Sequence, residues 1–257
     1  MARLSACFLF LVFWTSVTDA QSTSFPDALW SSDLIARAEM PLSSIMQGQH
    51  ILLPDPPLQG SEEESYELSR LLMMQDTLRS QSRIAQIIEE HTAPDILDFL
   101  VSRGVIPFEI DAPVLWEVLR HGLYDIEIIT IREKLRFNRP RPSQIQENIE
   151  TAVPNPPHAA YPSGHASQAE FVSQVLRRLV PVCEYTYRRF ASEIAFNREI
   201  AGVHYPSDSV AGFLLASRYT EILEQSEFWA LYRDDARREL WLYVRSNTCA
   251  VNNGAED

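Results

Sequence analysis

Apolar residues along the body of the chain recur at three- and four-residue intervals and almost nowhere alternate, so the pattern predicts helices and nearly no strands. Ser61-Glu62-Glu63-Glu64 reads as a capping box with acids in the first turn. Leu68, Leu71, Leu72, Ile84, Ile87 and Ile88 then keep a helical period, and the helix is expected to run to about Glu90. The stretch ahead of it, Leu53-Pro54-Asp55-Pro56-Pro57-Leu58-Gln59-Gly60, is too rich in proline for a helix or a central strand. Pro94 at a first helical position and Gly104 at a stop bracket a shorter helix, while Asp111 as cap and Pro113 open a longer one towards Phe137. Further helices are expected from near Ser163, Pro181, Pro206 and Ser226. No long-period repeat and no shift of composition divides the chain, so the expectation is one all-α domain, a helical bundle over 61–246. An N-terminal segment with the proline-rich loop (21–60) precedes it and a tail (247–257) follows.

Composition narrows the function. With 46% hydrophobic and 22% charged residues over 257 positions, the chain can bury one ordinary core. A net charge of -13 argues against nucleic acid and anionic lipid as partners, so an anionic substrate would need local cations of its own. Beyond the N-terminus, no apolar run reaches the roughly 18 residues of a membrane span, and stable membrane insertion is not expected. Residues 1–20 carry Arg3, an apolar stretch from Ala6 to Val17 and the small-residue site Thr18-Asp19-Ala20. They read as a signal peptide cleaved near Ala20, giving a secreted or periplasmic protein; as a membrane anchor the stretch is too short. Cleavage removes Cys7 and leaves Cys183 and Cys249, which form either a disulfide worth about 4 kcal/mol or two buried thiols; the sequence leaves both open.

The chemistry gathers in three segments. Lys134 is the one lysine against 21 arginines, and its compact ammonium suits a point contact to an oxyanion. In Arg139-Pro140-Arg141-Pro142 the prolines hold the backbone of Arg141 extended, which reduces the entropy lost on ordering its guanidinium; a rigid solvated helix exit is the bland alternative. Tyr161-Pro162-Ser163-Gly164-His165-Ala166 sets a cap, a glycine and a histidine at a helix mouth, where free amides and the positive end of the dipole form an anion site. An ordinary cap with a surface histidine is the alternative there. In the run Arg198 to Asp208, Gly202 stops one helix and Pro206 starts the next. His204 lies between, within reach of Asp208, which orients one ring nitrogen and leaves the other as a free lone pair. A metal pair is the rival reading of His204 and Asp208, but three nearby cations would repel a divalent ion and no second ligand cluster is seen.

Together these segments resemble the signature of the type 2 phosphatidic acid phosphatase superfamily, shared by bacterial class A acid phosphatases and vanadium-dependent haloperoxidases. The match consists of Lys134, six residues and Arg141-Pro142; Pro162-Ser163-Gly164-His165; and Arg198, five residues, His204, three residues and Asp208. The resemblance implies a helical core in which His204 attacks phosphorus, Asp208 steadies its ring, His165 protonates the leaving alkoxide, and Lys134, Arg141, Ser163, Gly164 and Arg198 bind the phosphate. It implies a small phosphomonoester as substrate, no cofactor or metal, an acidic working pH, and leaves room for a homo-oligomer. Asn197 departs from the serine common beside the arginine, which puts one hydrogen bond near the oxyanion in doubt, and Arg139-Pro140 is out of register and receives no direct role. The main rival is a vanadium-dependent haloperoxidase, with vanadate in the phosphate site through His204. The short chain favours the phosphatase, and the Ala160–Ala166 wording resembles haloperoxidases. A third reading is a non-catalytic helical protein that only binds phosphate.

Overall fold

The computed structural model describes residues 23–247 and Cys249; the expected signal peptide and most of the expected tail lie outside these residues. The described residues are all-α, with no strand. In chain order the helices are α1 (Ser32–Glu39), α2 (Glu62–Leu78), α3 (Gln81–Thr92), α4 (Ile96–Ser102), α5 (Pro113–Phe137), α6 (Pro142–Ile145), α7 (Gly164–Leu179), α8 (Glu184–Ile200), α9 (Pro206–Glu224) and α10 (Glu227–Asn247).

The expected helix from Ser61 to Glu90 is two helices. Ser61 caps the first through its Oγ and the Glu64 amide, but the turn breaks after Leu78 and Ser80 caps a second helix by accepting from the Arg83 amide. Arg79 leaves the helix to donate to the carbonyls of Ile200 and Glu150, so long-range pairing overrides the continuous apolar period. The shorter helix starts at Ile96, two residues after Pro94, because the Asp95 carboxylate accepts from the Asp98 amide. Asp111 closes a 3-10 turn, and Ala112 holds the cap position before Pro113.

Helix α7 is the centre of the bundle. It packs on α8, α9 and α5, and α10 closes over α5. Two glycines set its distances. A Cβ on Gly122 of α5 would come within 2.0 Å of the Phe171 ring, and one on Gly212 of α9 would lie 2.7 Å from the Ser163 carbonyl and 3.0 Å from the Ser167 amide. The larger core runs through Leu115, Leu119, Ile126, Phe171, Val175, Leu215, Tyr219 and Leu240. A smaller one joins Leu71, Met74 and Ile87 to Ile200, Val203 and Tyr205. Ala160 belongs to one core and Tyr161 to the other, so the segment leading into Pro162 runs along their boundary. Cys183, before α8, forms a disulfide with Cys249 beyond α10, which decides between the two thiol states the sequence allowed. Among the described residues no helix is long and apolar enough to cross a membrane.

Candidate active site

Five helix ends and the loops between them meet at this boundary. Lys134 sits in the last turn of α5, 2% exposed, and its Nζ donates to the carbonyls of Ala159 (2.9 Å) and Ala160 (2.8 Å). An ammonium has three donors, so one remains. Burial first, and the neighbouring Arg141 next, push its pKa well below the usual lysine range.

Arg141 is the N-cap of α6 and fully buried. Its Nε and Nη2 donate to the His158 carbonyl, Nη2 also reaches His158 Nδ1 at 2.9 Å, and Nη1 donates to the Val203 carbonyl at 2.7 Å and to His204 Nε2 at 3.0 Å. A guanidinium has only donors, so His204 Nε2 must be an acceptor, while His158 Nδ1 lies between the guanidinium and the Ala159 carbonyl at 3.1 Å. The ring proton of His204 therefore sits on Nδ1, 3.0 Å from Asp208 Oδ2. Burial lowers the pKa of Arg141 to about 9.

Asp208, in the first turn of α9, has no exposed surface. Its Oδ2 also accepts from the Tyr205 amide at 3.0 Å, its Oδ1 accepts from Arg139 at 2.7 Å, and its backbone carbonyl accepts from the Ser163 amide at 2.9 Å. That last bond ties the start of α7 to the start of α9. Ser163 is thus a cap and a tie: its Oγ accepts from the Ala166 amide, and its own amide is committed to Asp208. The first-turn amides free to meet an anion are those of Gly164 and His165, which take no partner among the described residues.

Arg198, in the last turn of α8, is the outlier. It is fully buried, and its Nε, Nη1 and Nη2 all lack a hydrogen-bond partner among the described residues. An unpaired buried guanidinium costs several kcal/mol unless an anion joins it, on the order of the penalty for any isolated buried ion. Burial pulls its pKa down to about 10. Its charge bears on Lys134, Arg141, His165 and His204, and drives each towards its neutral form. The pKa values of His204 and His165 lie well below the usual histidine range, through burial first and these cations second. The ring of His165 makes no hydrogen bond among the described residues and faces a cavity of about 280 Å³, together with Lys134, Gly164 and His204.

The structure therefore brings together all eight residues singled out in the sequence: Lys134, Arg141, Ser163, Gly164, His165, Arg198, His204 and Asp208. It adds others. His158 lines the same cavity and orients Arg141; its pKa is also pushed well down, chiefly by burial. Its signal in the sequence was only a histidine after two prolines. His91, Glu127 and Gln168 line both this cavity and a wider one of about 550 Å³, whose apolar wall includes Ile96, Leu97, Phe99 and Leu123. Asn197 points away from the cavity: its Nδ2 donates to Glu90 at 2.6 Å and its Oδ1 accepts from Arg83 at 2.8 Å. Arg139, which the sequence reading left without a role, holds the second oxygen of Asp208.

These groups make a buried cationic pocket with an oriented imidazole, on a helical bundle. Residues 122–223, which hold every one of the eight, match the family model of the PAP2 superfamily. Among solved structures the fold is similar to that of the first bacterial vanadium-dependent iodoperoxidase, at a TM-score of 0.53 and 18% identity over 72% of this chain and 54% of that one. The chain spans about half the length of that protein, and the likeness is one of fold. No curated protein shows significant sequence similarity.

Proposed function

We propose that the protein is a secreted acid phosphatase that hydrolyses small phosphomonoesters without a metal, through a phosphohistidine at His204. The observation that carries this reading is the pairing of an unpartnered buried guanidinium, Arg198, with a neutral His204 whose lone pair lies on Nε2. A phosphate dianion satisfies the first and is open to attack by the second.

In the first step His204 Nε2 attacks phosphorus and the bond to the ester oxygen breaks. Asp208 steadies the ring as it becomes positive through the Nδ1–H bond, at 3.0 Å. Lys134, Arg141 and Arg198, with the Gly164 and His165 amides, meet the three equatorial oxygens and supply the charge that a divalent ion would otherwise supply. His165 gives its proton to the leaving alkoxide. Its pKa is lowered by burial first and by the bare cations second, and a bound dianion that neutralises the cations brings it up. In the second step water attacks phosphorus, passes a proton to His165 and breaks the nitrogen–phosphorus bond, which restores both histidines. The wider cavity adjoins His165, where the alcohol departs.

A second reading, a vanadium-dependent haloperoxidase, is favoured by the fold likeness to the iodoperoxidase and by the Ala160–Ala166 wording. The unpartnered Arg198 fits vanadate as it fits phosphate, with His204 Nε2 as ligand and Lys134 and Arg141 around the oxygens. When bound, that group would activate peroxide for halide oxidation. Two assays separate the readings: phosphate release from p-nitrophenyl phosphate, and peroxide-dependent bromination of a dye after vanadate is added. The first alone is expected; bromination without phosphate release would overturn the proposal. Secretion is tested by the mature N-terminus, expected at Gln21.

A further inference from the structure

Arg139 lies in no cavity wall of the site, yet it is only 5% exposed and lies between two buried acids. Its Nη1 donates to Asp208 Oδ1 at 2.7 Å and to Ser207 Oγ at 2.8 Å, and its Nη2 donates to Glu67 Oε2 at 2.9 Å. Glu67, on α2, accepts in turn from the Ser207 amide at 2.6 Å and the Ser207 hydroxyl at 3.0 Å. The guanidinium carbon sits 3.6 Å above the Tyr205 ring, which fixes the plane of the fork. The arrangement is a chain, Glu67–Arg139–Asp208–His204, in which two ion pairs lead to a hydrogen bond from a neutral imidazole to a carboxylate.

We propose that Arg139, clamped by Glu67, is a positioning residue for the His204–Asp208 pair. A carboxylate can turn about its own bond, and Asp208 has two equivalent oxygens. Occupying Oδ1 with a fixed guanidinium leaves Oδ2 as the oxygen that faces His204 Nδ1 and keeps the imidazole plane aimed at the cavity. The fork of an arginine matches this task, because one nitrogen serves Asp208 while the other is anchored on Glu67; a lysine keeps the charge and one contact only. The kinetic part of the test rests on the hydrolase reading, and its spectroscopic part does not.

The test compares the full-length parent with R139M, R139K and E67Q, by hydrolysis of p-nitrophenyl phosphate, by competitive inhibition with inorganic phosphate, and by the downfield proton resonance of the His204 Nδ1–H. Loss of the clamp acts on the chemical step and not on capture of the anion. R139M is therefore expected to lower kcat by about 10- to 100-fold, as loss of an orienting outer partner does elsewhere, with the inhibition constant of phosphate within about two-fold. R139K, which keeps the charge and one contact, is expected to restore part of the loss, and the resonance is expected to vanish in R139M and persist in R139K. A kcat for R139M equal to the parent's, or an inhibition constant that rises in step with the fall in kcat, overturns the proposal. If R139M does not fold, E67Q decides by the same criteria: a lower kcat at unchanged phosphate inhibition supports the clamp, and any other result overturns it. If the parent releases no phosphate, the hydrolase reading fails and the resonance alone decides. Its loss in R139M, or in E67Q if R139M does not fold, supports the clamp, and its retention overturns it.

Discussion

Arg141 Nη1 points at His204 Nε2 from 3.0 Å, so the guanidinium covers the lone pair assigned to attack. The other donors of Arg141 are committed to the His158 and Val203 carbonyls and to His158 Nδ1. The bond to His204 is thus the one that an arriving oxyanion can take over while the carbonyl pairing survives, and that exchange would free Nε2 as the phosphorus comes into place. His204→Ala is expected to cut phosphate release by about 10⁴-fold or more while thermal unfolding stays cooperative, measured by a p-nitrophenyl phosphate assay beside calorimetry.

Arg198 is a buried charge without a hydrogen-bond partner among the described residues. Replacing it by methionine removes a buried ion that no described residue hydrogen-bonds, so R198M is expected to stabilise the ligand-free protein by about 1–3 kcal/mol at pH 6. The same variant is expected to lose the rise in Tm that sulfate gives the parent. Denaturant titration with and without sulfate checks both.

Proton and anion binding are expected to be linked in this pocket. His158, His165 and His204 all have folded-state pKa values well below 6.5, so their contribution to stability is present above about pH 6.5 and is lost as the pH falls. Glu90 and Glu199, raised to about 7 by burial, run the other way: they favour the fold below about pH 4.5 and lose that contribution as the pH rises through about 7. The two sets oppose each other between these limits, and the ligand-free Tm is expected to change little there. Sulfate stays a dianion over the same range and raises the histidine pKa values. Its binding is expected to take up protons and to tighten from pH 7 to pH 5, read by calorimetry in buffers of different ionisation enthalpy.

Gly212 holds α9 against the mouth of α7. A methyl group there would meet the Ser163 carbonyl at 2.7 Å, and backbone cannot swing aside as a side chain can. G212A is expected to destabilise the protein by about 1–3 kcal/mol and to lower kcat, because the shift strains the bond from the Ser163 amide to the Asp208 carbonyl. Thermal unfolding and steady-state kinetics check the two effects.

What the sequence showed and what it hid divide by range. Helix starts were legible where a cap lay next to its helix, as at Ser61 and Ser163, and the eight pocket residues were legible because each sits in a short spaced motif at or near a helix end or in a turn. The break at Ser80 was hidden: the apolar period runs through it, and the Arg79 contacts that terminate α2 come from residues 71 and 121 positions away. Arg139 was seen but given no direct role, and Glu67 escaped notice, for the same reason, since they lie 72 positions apart and neither shows an acid–base spacing along the chain. The local Ser80-to-Arg83 cap was a signal that could have been used.

The claim that phosphorus passes through His204 has one direct measurement. The protein is mixed with excess p-nitrophenyl phosphate in the presence of EDTA, quenched within one turnover, and digested under conditions that spare phosphohistidine for mass spectrometry. A phosphoryl group on His204 in the parent, absent from His204→Ala, is expected. Turnover that stops with EDTA, or that proceeds with His204 unmodified, would contradict the account.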